Sequence, residues 1–182
     1  MDENFFNTIK YYNDNAKTFV SHTVNADLCE LYDKFLPMLP SRARILDAGS
    51  GSGRDTKSFR EMGHEVVAID ASIEMVKATS NLSQGPNFHA TFCEYQSDIP
   101  FDGIWACASL LHVSSREMTK TLQHLSDMLK IDGCMFVSFK IGRSQQIRNG
   151  RFFHDMDEER LKGFIGGIRS LSMQEVWTTK DV

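Results

Sequence analysis

Ile45-Leu46-Asp47-Ala48-Gly49-Ser50-Gly51-Ser52-Gly53-Arg54-Asp55 joins the apolar end of a strand to a carboxylate and three alternating glycines. Arg44 to Ala48 reads as a short buried strand. Gly49, Gly51 and Gly53 let the backbone turn sharply and approach a ligand closely before a helix carrying Phe59 begins. The first N–H groups of that helix have no partner within it and suit an anionic or polar ligand. The segment has the form of a nucleotide-binding turn.

Two ligands fit such a turn, a dinucleotide and S-adenosylmethionine, and the spacing separates them. A dinucleotide fingerprint places glycine at its first, third and sixth positions, and counting from Gly49 the sixth is Arg54. Asp47 stands two residues before the first glycine, where a dinucleotide fold usually has an apolar side chain and where a ligand bearing an ammonium group would find a counter-charge. Asp47-Ala48-Gly49-Ser50-Gly51-Ser52-Gly53 thus resembles the acid-x-Gly-x-Gly-x-Gly first motif of class I S-adenosylmethionine-dependent methyltransferases. The resemblance extends over about residues 10 to 178. It implies a Rossmann-like fold, S-adenosyl-L-methionine as cofactor and methyl transfer as the reaction, with Asp47, Gly49, Gly51 and Gly53 around the cofactor.

Val66 to Asp70 is the continuous apolar run of a buried parallel strand, and it ends in a carboxylate about twenty residues after the turn. In the resembling family an acid at this position takes both ribose hydroxyls, which assigns that role to Asp70, with Ala71 beside the cofactor; capping of the next helix is the competing role for Asp70. Phe101 to Val113 resembles the fourth-strand segment of small bacterial methyltransferases, in which a Trp-Ala-x-Ala run leads to a Leu-His pair. The resemblance sets Ala106 and Leu111 against the cofactor and turns His112 toward the place of methyl transfer, as a general base or a substrate hydrogen-bond partner; a packing histidine at a helix start is the competing role. The resemblance also points to Cys93 or Glu94, after the third strand, for the adenine, and to Tyr12 and Phe19 as residues folded over the cofactor. The Arg54 guanidinium suits the cofactor carboxylate, and Asp55 suits the start of its helix.

Outside these motifs, residues 4 to 39 carry helix-spaced apolar positions that stop at Pro37 and Pro40, a helical preface or lid over 1–40. Strands are expected at 44–48, 65–70, 87–92, 102–107 and 134–140, with helices from about 54, at 72–82 and at 115–130. This alternation predicts a doubly wound, mostly parallel α/β sheet with helices on both faces, in a single domain of residues 1–182. With 41% hydrophobic and 24% charged residues the composition is that of a soluble globular domain. There is no membrane-spanning apolar run and no secretion signal, so a cytoplasmic location is expected. Neither disulfides nor a zinc site is indicated by the spacing of the four cysteines, so no metal is expected. A net charge of −4 argues against a nucleic-acid partner and favours a small-molecule acceptor.

Lys140 leads into a polar loop holding Arg143, Arg148, Arg151 and His154, of which Arg148, Arg151 and His154 are candidates for orienting an anionic acceptor. A helix follows from Asp157 through Phe164, and residues 168–178 read as a sixth strand. Members of the resembling family usually add a seventh strand between the fifth and sixth, and no sequence remains for it. The expectation is that the sixth strand shifts to pair with the fifth, or that the protein self-associates through the open edge. Two rival readings accompany the methyltransferase: a chain that binds the cofactor without turnover and acts through a partner, and a dinucleotide-dependent oxidoreductase.

Overall fold

The apolar run ahead of the glycines does form a strand, with four of its five residues buried: β1, Arg44–Ala48. In the computed structural model, which describes residues 3–180, it is preceded by α1 (Glu3–Asp14), α2 (Ala16–Thr23) and α3 (Cys29–Phe35). A single 3-10 turn, Leu36–Met38, closes α3 at Pro37. After β1 come α4 (Arg54–Glu61), β2 (Glu65–Asp70), α5 (Ile73–Leu82), β3 (Asn87–His89), β4 (Phe101–Ala106), α6 (Ser115–Ser126) and β5 (Leu129–Val137). The chain continues with β6 (Gln145–Arg148), β7 (Arg151–His154) and α7 (Glu158–Ile165).

Five strands form one sheet in the order β3-β2-β1-β4-β5, every neighbouring pair parallel. The order reverses at β1, which sets the topological switch point at the carboxyl ends of β1 and β4, the place where open α/β sheets bind ligands. Successive side chains of a strand face opposite ways, and the core divides accordingly. Ile45, Trp105 and Phe136 pack with Phe35 of α3 and Phe59 of α4. Leu46, Ile104 and Met135 pack on the other face with Leu122 and Leu125 of α6. Helices therefore cover both faces, as expected.

The α3/α4 face is organised by one carboxylate. Asp55, in the first turn of α4, accepts the Tyr32 hydroxyl at 2.6 Å, Trp105 Nε1 at 2.8 Å, and Arg54 through Nε at 2.6 Å and Nη2 at 3.0 Å. Trp105 in turn stacks on Phe136, ring centroids 4.1 Å apart. Burial and the Asp55 charge both push the Tyr32 hydroxyl up, so it remains a donor. The sequence places Asp55 at a helix start; the fold uses it to fasten α3, α4 and β4 together.

Several boundaries differ from the sequence expectation. The third strand ends at His89 instead of residue 92, because the chain turns on the Thr91 carbonyl, which accepts the N–H groups of Glu94 and Tyr95. The helix expected to run to 130 stops at Ser126, and the fifth strand starts at Leu129 instead of 134. The arginine loop is an antiparallel hairpin, with Arg148 opposite Arg151. Its turn residues Asn149 and Gly150 have φ of +49° and +79°, the left-handed pair a two-residue hairpin turn requires.

The sixth strand is absent: residues 168–178 form no ladder. Ile168 and Leu171 pack on the α6 face, whereas Trp177 lies on the other face, 5.9 Å from the Phe136 ring and 4.5 Å from Lys34 Nζ. Leu171 and Trp177, six residues apart, would share a face in a regular strand but lie on opposite ones, and side chains and the Lys34–Glu175 ion pair hold the segment. Among the described residues β5 remains the sheet's outer strand, and no helix is long and apolar enough to cross a membrane.

Removing the Asp55 carboxylate would strand the Tyr32 hydroxyl, the Trp105 N–H and the Arg54 charge together. Asp55→Ala should lower unfolding free energy by about 3 kcal/mol in urea titrations followed by tryptophan fluorescence. A loss below about 1 kcal/mol would show that the carboxylate does not organise this face.

Candidate functional site

The turn after β1 is shaped by contacts that only glycine permits. Gly49, Gly51 and Gly53 have φ of +88°, +53° and +81°. A Cβ on Gly53 would stand 2.6 Å from the Thr79 Cα of α5, and one on Gly49 would stand 2.4 Å from the Ser109 Cβ after β4. Ser109 Oγ in turn donates to the Ala48 carbonyl at 2.6 Å, closing the carboxyl end of β4 onto that of β1.

Asp70 ends β2 beside this turn. Its Oδ2 accepts the Gly51 N–H at 2.9 Å and its Oδ1 the Ser72 N–H at 2.8 Å, so one carboxylate links the turn to the start of α5. The helix cap itself is Ser72, whose Oγ accepts the Met75 N–H at 3.3 Å. Burial raises the Asp70 pKa to about 6 against the pull of those two donors. Asp47 is buried beneath the turn, where the Thr56 hydroxyl donates to it, and burial together with Asp55 pushes its pKa up as well. Among the described residues neither carboxylate has an ion-pair partner, the condition that favours a ligand bringing hydroxyl donors or a cation.

The first two helices fold over this end of the sheet. Asn13 Oδ1 accepts the Ser72 hydroxyl at 2.7 Å, and the Phe19 ring comes within 3.4 Å of where a Gly51 Cβ would be. Tyr12 packs edge-on against Phe19, centroids 5.0 Å apart. Burial raises the Tyr12 pKa, so its hydroxyl keeps its proton and donates to His112 Nε2 at 2.8 Å. His112 Nδ1 lies 2.6 Å from the Phe152 carbonyl. A carbonyl can only accept, so Nδ1 carries the proton and Nε2 is the acceptor. Burial lowers the His112 pKa to about 4, the Phe152 carbonyl opposing and the Arg151 charge assisting, and the ring is neutral at pH 7. The β6–β7 hairpin completes the cover: the Phe152 N–H donates to Thr8 Oγ1 of α1 at 3.0 Å, and Arg151 Nη1 reaches Tyr12 Oη at 3.4 Å.

The other residues named from the sequence are distributed unevenly. Ala71 follows Asp70 directly, and Ala106 and Leu111 are buried at and just after the end of β4. Cys93 Sγ faces Thr121 of α6 at 3.6 Å, and Glu94 turns back to accept the Thr91 N–H of its own turn. The polar side chain that β3 sets beside Asp70 is His89, its register partner, with Nε2 3.0 Å from the Ala71 carbonyl. His89 was not singled out from the sequence; parallel register from the end of β2 is the signal that finds it. The Arg54 guanidinium is taken by Asp55 and the Thr23 carbonyl.

The expected substrate trio is divided. Arg148 is bound by both oxygens of Asp155. His154 is fully buried, with Nδ1 3.1 Å from the Val113 carbonyl, because strand alternation turns it away from Arg151. Arg151 alone of the three reaches Tyr12.

A family model described as a methyltransferase domain matches residues 20–166. The chain belongs to this family. It is a Rossmann-like, class I methyltransferase, and relatives of known fold agree with the sheet described above. An uncharacterized methyltransferase of Staphylococcus carnosus is 27% identical over 150 residues, covering 77% of this chain and 72% of the relative. The Burkholderia thailandensis 1,6-didemethyltoxoflavin-N1-methyltransferase, solved with bound 1,6-didemethyltoxoflavin and S-adenosylhomocysteine, superposes with a TM-score of 0.68 at 21% identity. That match covers 87% of this chain and 72% of the other. The magnesium protoporphyrin IX methyltransferase of Synechocystis, solved with S-adenosylmethionine, gives a TM-score of 0.70 at 14% identity over 92% of this chain and 86% of the other.

The tautomer and burial of His112 have a direct spectroscopic consequence. In long-range proton–nitrogen spectra its ring should remain neutral, with the proton on Nδ1, down to about pH 4. Titration at or above the ordinary histidine value near 6.5 would contradict the closed arrangement with Tyr12.

Proposed function

We propose that the protein transfers a methyl group from S-adenosyl-L-methionine to a small-molecule acceptor bound beside His112, beneath α1 and the β6–β7 hairpin. One observation carries the reading: the Gly51 and Ser72 N–H groups converge on Asp70 at the end of β2, beside a turn with no room for side chains at Gly49 and Gly53. These residues fit an adenosyl ligand, since Asp70 offers a carboxylate to ribose hydroxyls and the glycine backbone admits close approach. Asp47 and Asp70 supply negative charge for a sulfonium ligand with an ammonium group. Ala71 lies partly exposed next to Asp70, Ala106 and Leu111 back the site from the buried end of β4, and Tyr12 covers it.

When bound, the cofactor supplies an electrophilic methyl group on a positively charged sulfur. The work of the chain is to hold both partners in line and to keep water out. Tyr12, Asn13 and Phe19 close over the turn and serve the second task. His112 Nε2 is an unprotonated acceptor whose present partner is the Tyr12 hydroxyl. An acceptor O–H or N–H that displaces Tyr12 meets a neutral imidazole able to take its proton. Arg54, Cys93 and Glu94 are engaged elsewhere and are not needed for this arrangement.

Calorimetry separates this reading from a dinucleotide enzyme. Adenosylhomocysteine should bind and NAD should not, and Asp70→Ala should weaken adenosylhomocysteine by about 1 to 3 kcal/mol through loss of bonds to a charged acceptor. Binding of NAD alone, or unchanged affinity in the variant, would overturn it.

A further inference from the structure

Among the described residues Arg151 is the arginine of its region with neither a carboxylate nor a carbonyl partner. Arg143 pairs with Asp157 and Glu159, Arg148 with Asp155, and Arg160 donates to the Arg143 carbonyl. Arg151 by contrast is surrounded by rings: its guanidinium carbon lies 4.8 Å from the Tyr11 centroid, 5.2 Å from Phe153 and 5.7 Å from Tyr12. Its Nε is buried and has no hydrogen-bond partner. The bond it does make, Nη1 to Tyr12 Oη, is long at 3.4 Å.

A guanidinium carries five N–H donors in a planar fork, and a buried donor or charge without a partner is costly to keep. Aromatic faces attract the cation but accept none of its in-plane N–H groups as a carboxylate would. The guanidinium reaches the Tyr12–His112 pair, the place proposed for the acceptor, through Nη1, while its Nε edge is left unsatisfied. Arg148 directly opposite in the hairpin is already neutralised, so the two arginines do not act as one diffuse basic patch. What fits this edge is one planar or tetrahedral oxyanion approaching in the plane of the fork, attached to an apolar body that the surrounding rings can contact.

We infer that the acceptor is an acid, a small molecule with a carboxylate or phosphonate group, and that Arg151 binds this group and so sets acceptor specificity. The inference rests on the methyl-transfer reading and names the substrate class of that site. Arg151 acts here as a binding residue; it places the acceptor next to His112 and takes no part in bond making.

The test uses the full chain saturated with adenosylhomocysteine and follows the Arg151 Nε–H and His112 ring resonances while benzoate, phenylphosphonate or benzamide is added. Benzoate or phenylphosphonate should shift both resonances saturably, and whichever acid binds at least tenfold more tightly identifies the charged group; benzamide should bind at least tenfold more weakly than that acid. Arg151→Met should abolish acid binding, followed on His112, Arg151→Lys should restore part of it, and adenosylhomocysteine affinity should stay within twofold in both variants. Equal binding of benzamide, absence of any shift with both acids, or retention of acid binding in Arg151→Met would overturn the inference. Loss of adenosylhomocysteine binding in the variants would also overturn it, by showing that the arginine serves the cofactor. Failure of the unmodified chain to bind adenosylhomocysteine is a separate result that defeats the methyl-transfer reading itself.

Discussion

The Asp70 carboxylate, clasped by the N–H groups of Gly51 and Ser72, is the contact on which the functional end of this protein depends. It fixes the glycine turn against the end of β2 and the start of α5, and the rest of the site is built outward from it. Gly53 packs on Thr79 of α5, Gly49 on Ser109 after β4, and Asn13 of α1 on the same Ser72 that follows Asp70. Three elements distant in sequence thereby meet at a single turn.

Three carboxylates gather around that turn, and the protein treats them differently. Asp55 receives Arg54, Tyr32 and Trp105, so its charge is consumed in joining α3, α4 and β4. Asp47 and Asp70 receive only neutral donors, and burial pushes both upward in pKa. The Asp55 charge is satisfied within the fold, and among the described residues neither of the other two carboxylates has an ion-pair partner. Across the site the opposite sign is left open at Arg151. A cationic, hydroxyl-bearing cofactor on one side and an anionic acceptor on the other would complete both halves.

Much of the sheet could be read from sequence because parallel strands buried on both faces are continuous apolar runs, as at Ile45–Leu46 and Val66 to Ile69. The glycine turn and Asp70 were legible because their spacing is local. The Asp55 cluster was not, since Tyr32 and Trp105 lie 23 and 50 residues away and meet it only in three dimensions. The Asn149-Gly150 hairpin carried a local signal, but its strands are rich in arginine and glutamine and lack the alternating apolar pattern that marks a half-buried ribbon. Residues 168–178 misled for the converse reason: apolar side chains at Ile168, Leu171 and Trp177 have the look of a strand, yet they are shared between two faces of the sheet. Of the candidate acceptor residues, strand alternation turns His154 away from Arg151, while Arg148, opposite Arg151 in the hairpin, is taken by Asp155, which a loop reading cannot foresee.

The most direct measurement is a crystal structure of the chain with adenosylhomocysteine bound. Both ribose hydroxyls should lie within about 3 Å of the Asp70 carboxylate oxygens, with the ligand crossing the glycine turn beneath Tyr12 and Phe19. A ligand bound elsewhere, with Asp70 still joined only to Gly51 and Ser72, would contradict it.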